Sequence, residues 1–134
     1  MPKGKQDMSW ELSSTGFAMT LSNYVPNLIE EDFEKLVNQA LCKQGISREQ
    51  ITHWSIHPGG KRILESIEKS LSLPKEKLHE SYRILREYGN MSSPTILFVL
   101  KEILSGMDNG QNQKVFGAAF GPGLTMETFI VGKA

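Results

Sequence analysis

The spacing of apolar side chains divides this 134-residue chain into short strands and amphipathic helices. Gly16-Phe17-Ala18-Met19-Thr20-Leu21 reads as a short buried strand, ended by a turn at Asn23-Tyr24-Val25-Pro26-Asn27. The dozen residues before it read as a polar lead. Over residues 30–44 the period becomes helical, with Phe33, Leu36, Val37, Ala40 and Leu41 on one face. Asn23 or Asn27 is the expected cap, Glu30, Glu31 and Asp32 lie near the positive end, and Gly45 closes the helix. Ile51 to His57 alternates as a strand and runs through Pro58-Gly59-Gly60 into a helix with Ile63, Leu64, Ile67 and Leu71 inward. Pro74 opens another helix, with Leu78, Tyr82 and Leu85 inward, which closes at Tyr88-Gly89. Ser93 as N-cap and Pro94 in the first turn predict a helix through Leu104. Strands near 113–120 and 125–132 finish the chain, with Phe120-Gly121-Pro122-Gly123 as the turn between them. This order predicts an α/β layer arrangement.

One element does not suit a lone domain. In the helix 94–104, Ile96, Leu97, Phe98, Val99, Leu100, Ile103 and Leu104 point in nearly every direction. By periodicity alone the run also fits a strand. As a helix it needs cover on every side, which points to a missing half; the isolated chain is expected to self-associate at or near this helix, or to stay soluble only with that half.

Composition narrows the partners. The length suits one domain, and 39% hydrophobic with 22% charged residues fits a folded chain. Fifteen basic and fifteen acidic residues give no net charge, which argues against nucleic acid and against an anionic membrane surface. The start lacks the apolar core of a signal peptide, and no apolar run approaches the roughly 20 residues of a membrane span. A single cysteine excludes an internal disulfide framework and fits a reducing cytoplasm. Cys42 lies about 180° from the apolar stripe of its helix, at roughly 100° per residue, so it reads as a surface thiol. Three scattered histidines make a poor zinc site, and no metal or cofactor is expected.

His57 ends a strand and precedes a helix, the position at which open α/β sheets bind ligands. Gly59 and Gly60 would let a substrate approach closely, and the positive end of the helix favours a neutral imidazole. The alternative is a histidine that merely caps a strand. Asn90 follows Gly89 at a helix end, where a capping asparagine is also common. Together the two suggest a pair of donors aimed at one oxygen. The stretch Gly117 to Gly123 precedes a strand and so is a tight turn rather than a phosphate loop.

Three segments carry a family resemblance: Trp54-Ser55-Ile56-His57-Pro58-Gly59-Gly60, Glu87-Tyr88-Gly89-Asn90-Met91-Ser92-Ser93, and Phe120-Gly121-Pro122-Gly123-Leu124-Thr125-Met126-Glu127-Thr128. In order and spacing they resemble the C-terminal region of type III polyketide synthases, the chalcone and stilbene synthase family, across about residues 7–134. The resemblance implies the C-terminal half of a thiolase-like fold, a mixed β-sheet with helices packed on it, and an absent N-terminal half. Helix 94–104 would then be a central helix between the halves. It also implies condensation of an acyl-CoA starter with malonyl-CoA by decarboxylative Claisen steps, using a cysteine, a histidine and an asparagine. His57 and Asn90 match the last two. The cysteine belongs to the other half, and Cys42 does not match its motif. Gly59, Gly60, Met19, Phe120, Gly121 and Pro122 are the implied substrate contacts. The partners implied are acyl-CoA, malonyl-CoA, the missing half and a second copy in a homo-oligomer. Two departures stand out: Ala119 replaces a family glycine, and Met19 occupies an aromatic gatekeeper position. A fatty-acid-type ketoacyl synthase half and a non-catalytic, partner-binding half are the competing readings.

Overall fold

The computed structural model describes residues 8–109 and 112–133, without the side chains of 17–21 and 133. Its elements run β1 (Met8–Ser13), β2 (Gly16–Leu21), α1 (Val25–Lys43), β3 (His53–Ile56), α2 (Lys61–Leu71), α3 (His79–Tyr88), α4 (Thr95–Gly106), β4 (Gln113–Gly121) and β5 (Thr125–Lys133). Short 3₁₀ turns stand before β3, α3 and β5. The predicted α/β order is present, with two corrections near the start.

The first correction concerns the polar lead. Residues 8–13 form a strand that pairs antiparallel with β2, from Met8 opposite Leu21 to Ser13 opposite Gly16. Met8, Trp10 and Leu12 alternate with polar residues, as a strand requires. The second concerns α1. It begins at Val25, so the expected turn at 23–27 is its first turn, with Pro26 in a position that needs no amide donor. Tyr24 precedes the helix without a side-chain cap, so neither Asn23 nor Asn27 plays that part. The inward stripe is Val25, Ile29, Phe33, Val37 and Leu41, all buried.

A mixed sheet of three strands, in the order β3-β4-β5, forms the centre. β3 runs parallel to β4, with His53 opposite Val115 and Ile56 opposite Ala118. β4 and β5 make an antiparallel hairpin around Pro122–Leu124, so Gly117 to Gly121 belong to a strand and not to a turn. Trp54, Ile56, Phe116 and Ala118 bury one face against α1 and α2. On the other face, Val115 packs with Ile84 of α3 and Val99 and Ile103 of α4. The helices between β3 and β4 thus supply the crossover that a parallel pair demands.

α3 ties the two layers together. It touches α2, α4 and β3, and the buried Ser81 hydroxyl donates to the carbonyl of Ile56 at 2.7 Å. That carbonyl closes β3, one residue before His57.

α4 confirms the expectation of incomplete cover. Thr95, Val99 and Ile103 are buried at four-residue spacing, while Leu97 is 63%, Phe98 40% and Leu104 39% exposed. The half-exposed ring of Tyr88 leans on Phe98, with centroids 5.4 Å apart. Ser93 is not the cap of this helix. Pro94 precedes it without a side-chain bond, and the Thr95 hydroxyl serves the loop instead.

Candidate active site

The carboxyl end of β3 sets the position of His57. Its backbone N–H donates to the carbonyl of Ala118 at 2.9 Å, which extends the sheet contact past the last strand residue. Its own carbonyl accepts from Gly59 N–H at 2.9 Å, a tight turn that leads into α2. The ring is half-buried, and its Nδ1 is sealed from solvent without a hydrogen-bond partner. Burial holds the imidazole below its ordinary pKa of 6.5. The neutral form expected near pH 7 follows from desolvation, and no charged neighbour contributes to the shift.

Asn90 reaches this turn across 31 residues of sequence. Its Nδ2 donates to the Gly59 carbonyl at 3.4 Å, and its Oδ1 accepts from Ser92 N–H at 2.9 Å. The acceptor end of the amide is therefore committed, and one of two N–H donors stays free for a ligand.

His57 and Asn90 line one cavity of about 590 Å³. Ser92, Ser93 and Ile96 add the α4 side of the wall, and Ala119, Phe120, Gly121, Pro122 and Glu127 add the hairpin side. Met8 and Trp10 complete it from β1. Sequence reasoning missed these last two because the lead was not read as a strand. Their signal was the alternation of Met8, Trp10 and Leu12. Gly59 and Gly60 are not part of the wall. A Cβ on Gly59 would meet His57 Cδ2 and Ile63 Cγ1 at an ordinary 3.8 Å, and Gly60 faces open space. Gly121 is different, since a Cβ there would stand 2.9 Å from the Thr125 hydroxyl. The side chain of Met19 lies outside the described residues.

Other candidates lie elsewhere. His53 and His79 line a separate cavity of about 500 Å³ with Glu80 and Arg83. Cys42 is exposed on α1, away from His57. Among the described residues, no group of three or more His, Cys, Asp or Glu could hold a metal ion. No described helix is long and apolar enough to cross a membrane.

The pH dependence of stability follows from the two partly buried histidines. Burial lowers the pKa of both His57 and His53, with Glu80 partly opposing it at His53. The unfolded chain then binds protons that the folded chain refuses, so stability is full above about pH 6.5 and falls below it. The loss levels off once the pH passes below the folded-state values. Urea midpoints measured from pH 7.5 to 5.5 are expected to fall, and His57→Gln is expected to reduce that fall. An unchanged slope in the variant would contradict the assignment.

The family model for chalcone and stilbene synthases, C-terminal domain, matches residues 1–133. The chain belongs to that family. Type III polyketide synthase B of Arabidopsis thaliana is 35% identical to this synthase C-terminal domain over 138 residues, covering 97% of it and 35% of the plant protein. The crystal structure of PKS-I from the brown alga Ectocarpus siliculosus superposes with a TM-score of 0.85 at 30% identity, covering 96% of the domain and 36% of that chain. Another is 1,3,6,8-tetrahydroxynaphthalene synthase from Streptomyces coelicolor A3(2), a bacterial type III polyketide synthase. Its TM-score is 0.87 at 26% identity, with 98% and 37% covered. The synthase domain thus spans about a third of the length of these relatives.

Proposed function

We propose that this chain is the C-terminal half of a type III polyketide synthase and supplies the donors that stabilise an enolate from malonyl-CoA. The observation that carries the reading is the bond from the Asn90 amide to the Gly59 carbonyl, which brings Asn90 to the His57 turn in one cavity. In the malonyl thioester, the bond between Cα and the carboxylate breaks. Carbon dioxide leaves, and the electron pair spreads onto the thioester oxygen. No base removes a proton, so the step needs charge stabilisation rather than acid–base chemistry, and it uses no cofactor. A neutral His57 donates one hydrogen bond to that oxygen and the free Asn90 N–H donates another. The enolate carbon then attacks an acyl thioester on a cysteine of the N-terminal half, forming a C–C bond and releasing the thiolate.

The remaining assignments follow from this reading. Phe120, Gly121 and Pro122 form the wall along which the acyl chain lies, and Met19 is a further contact for that chain. Gly59 acts through its carbonyl, and Gly60 leaves the loop open. The N-terminal half covers the apolar face of α4, where Leu97, Phe98 and Leu104 stand exposed. The complete enzyme is a homo-oligomer in the cytoplasm, where acyl-CoA and malonyl-CoA are available.

The test is malonyl-CoA turnover with and without a cysteine-bearing N-terminal half. The chain alone is expected to make no polyketide from any acyl-CoA starter, and the assembled enzyme is expected to make one. Steady turnover by the 134-residue chain alone would refute the half-molecule reading.

A further inference from the structure

An amide side chain is a useful oxyanion donor only if its direction is fixed before the charge develops. The loop that fixes Asn90 is unusual. Ser92 has φ +65°, in the left-handed region that non-glycine residues seldom adopt. Such a conformation persists where its surroundings over-determine it. Here the surroundings include one buried hydroxyl. Thr95, the first residue of α4, is fully buried. Its Oγ1 accepts from Met91 N–H at 2.8 Å and donates to the Ser92 carbonyl at 2.8 Å. Between those two groups, Ser92 N–H turns back to the Asn90 Oδ1 at 2.9 Å. A continuous chain of bonds thus runs from the interior of the protein to the amide that faces the cavity.

We infer that Thr95 is a positioning residue whose hydroxyl sets the direction of the Asn90 amide by holding Met91 and the left-handed Ser92 in place. The inference rests on the reading of Asn90 as an oxyanion donor. Without the hydroxyl, Met91 N–H loses its partner, the Ser92 carbonyl keeps only the Thr95 backbone N–H at 3.1 Å, and the Ser92 turn loosens. Its N–H then leaves Asn90 Oδ1, and the amide is free to rotate. Misplacing a reacting group by about 1 Å costs on the order of 100-fold in rate, so a loosened amide should cost about 10- to 100-fold.

The experiment compares Thr95→Val, which keeps the shape, with Thr95→Ser, which keeps the hydroxyl. Ile103→Val, a buried change on the same helix away from the loop, controls for lost stability. Malonyl-CoA decarboxylation by the assembled enzyme gives kcat and KM, and ¹⁵N NMR of the labelled chain follows the Asn90 side-chain amide. Thr95→Val is expected to lower kcat about 10- to 100-fold with KM nearly unchanged, and to shift or broaden the Asn90 amide signals. Thr95→Ser and Ile103→Val are expected to match the unmodified enzyme in both. If Thr95→Val does not fold, Thr95→Ala takes its place in the same comparison. A Thr95→Val enzyme with unmodified kcat and unmoved Asn90 signals would overturn the inference, as would a Thr95→Ser variant equally damaged. Asn90→Ala separates the parent reading. If it leaves decarboxylation intact, the donor role falls, while the amide signals still decide whether Thr95 directs the side chain.

Discussion

Replacing Asn90 with alanine is expected to slow malonyl-CoA decarboxylation by the assembled enzyme ~10²–10³-fold, the usual effect of removing one oxyanion donor. His57→Ala should produce a loss of the same order. Each removes a donor to an oxygen that becomes negative only as carbon dioxide departs, so kcat should fall while substrate affinity changes little. The pair should also be less than additive, because the two donors share one acceptor and one hydrogen-bonded turn. Release of labelled carbon dioxide from malonyl-CoA measures the step directly. Far-ultraviolet circular dichroism of each variant checks that the fold survives. Unimpaired decarboxylation by Asn90→Ala would reduce Asn90 to a structural tie between the His57 turn and the loop before α4.

Gly117→Ala should be clearly destabilising. Gly117 lies directly opposite Phe129 in the β4/β5 ladder, and a Cβ on it would overlap the outer edge of the Phe129 ring. The ring therefore rests on bare backbone, and the added methyl must push it off its seat. Overpacking of this kind costs roughly 1–3 kcal/mol, and a partly expelled phenylalanine adds to that. A total of about 3 kcal/mol would consume a large fraction of the 5–15 kcal/mol that typically holds a domain together. The midpoint of urea unfolding checks the size. Phe129→Ala in the same chain makes room for the methyl, so the double variant should cost much less than the sum of the singles. Strict additivity would show that the ring and the glycine do not share one space.

Where the sequence was legible, a regular burial pattern made it so. In α2, the stripe Ile63, Leu64, Ile67 and Leu71 reads at helical spacing and is buried as read. The hairpin of β4 and β5 was visible from its glycine-punctuated ends and differs from expectation by a residue or so. The start of α1 was hidden because Pro26 suggests a break, yet Val25 and Ile29 continue the spacing of Phe33, Val37 and Leu41. β1 was hidden for another reason. Leu12 is 79% exposed, so the alternation there marks an open hairpin and lacks the apolar density of a core strand.

At the site, His57 and Asn90 could be singled out from their neighbours, but their joining could not. Nothing in the sequence says that the Gly59 carbonyl, rather than a helix end, would take the Asn90 amide. Thr95 was harder still. It stood at the head of an apolar run, and only its burial with two backbone bonds shows what the hydroxyl does.

The parallel pairing of β3 with β4 also governs how the protein is made. Thr52 donates its backbone N–H to Lys114, and His57 to Ala118, so the strand that presents His57 has no neighbour in the sheet until β4 is available. Pairings this distant in sequence form late, because the loop between them must close before the contacts reward it. On the ribosome, α1 and α2 can pack as soon as they emerge, whereas the turn after β3 gains its anchor only when β4 has been synthesised. A nascent chain stalled before residue 113 would thus carry both His57 and Asn90 while lacking the strand that holds them in register.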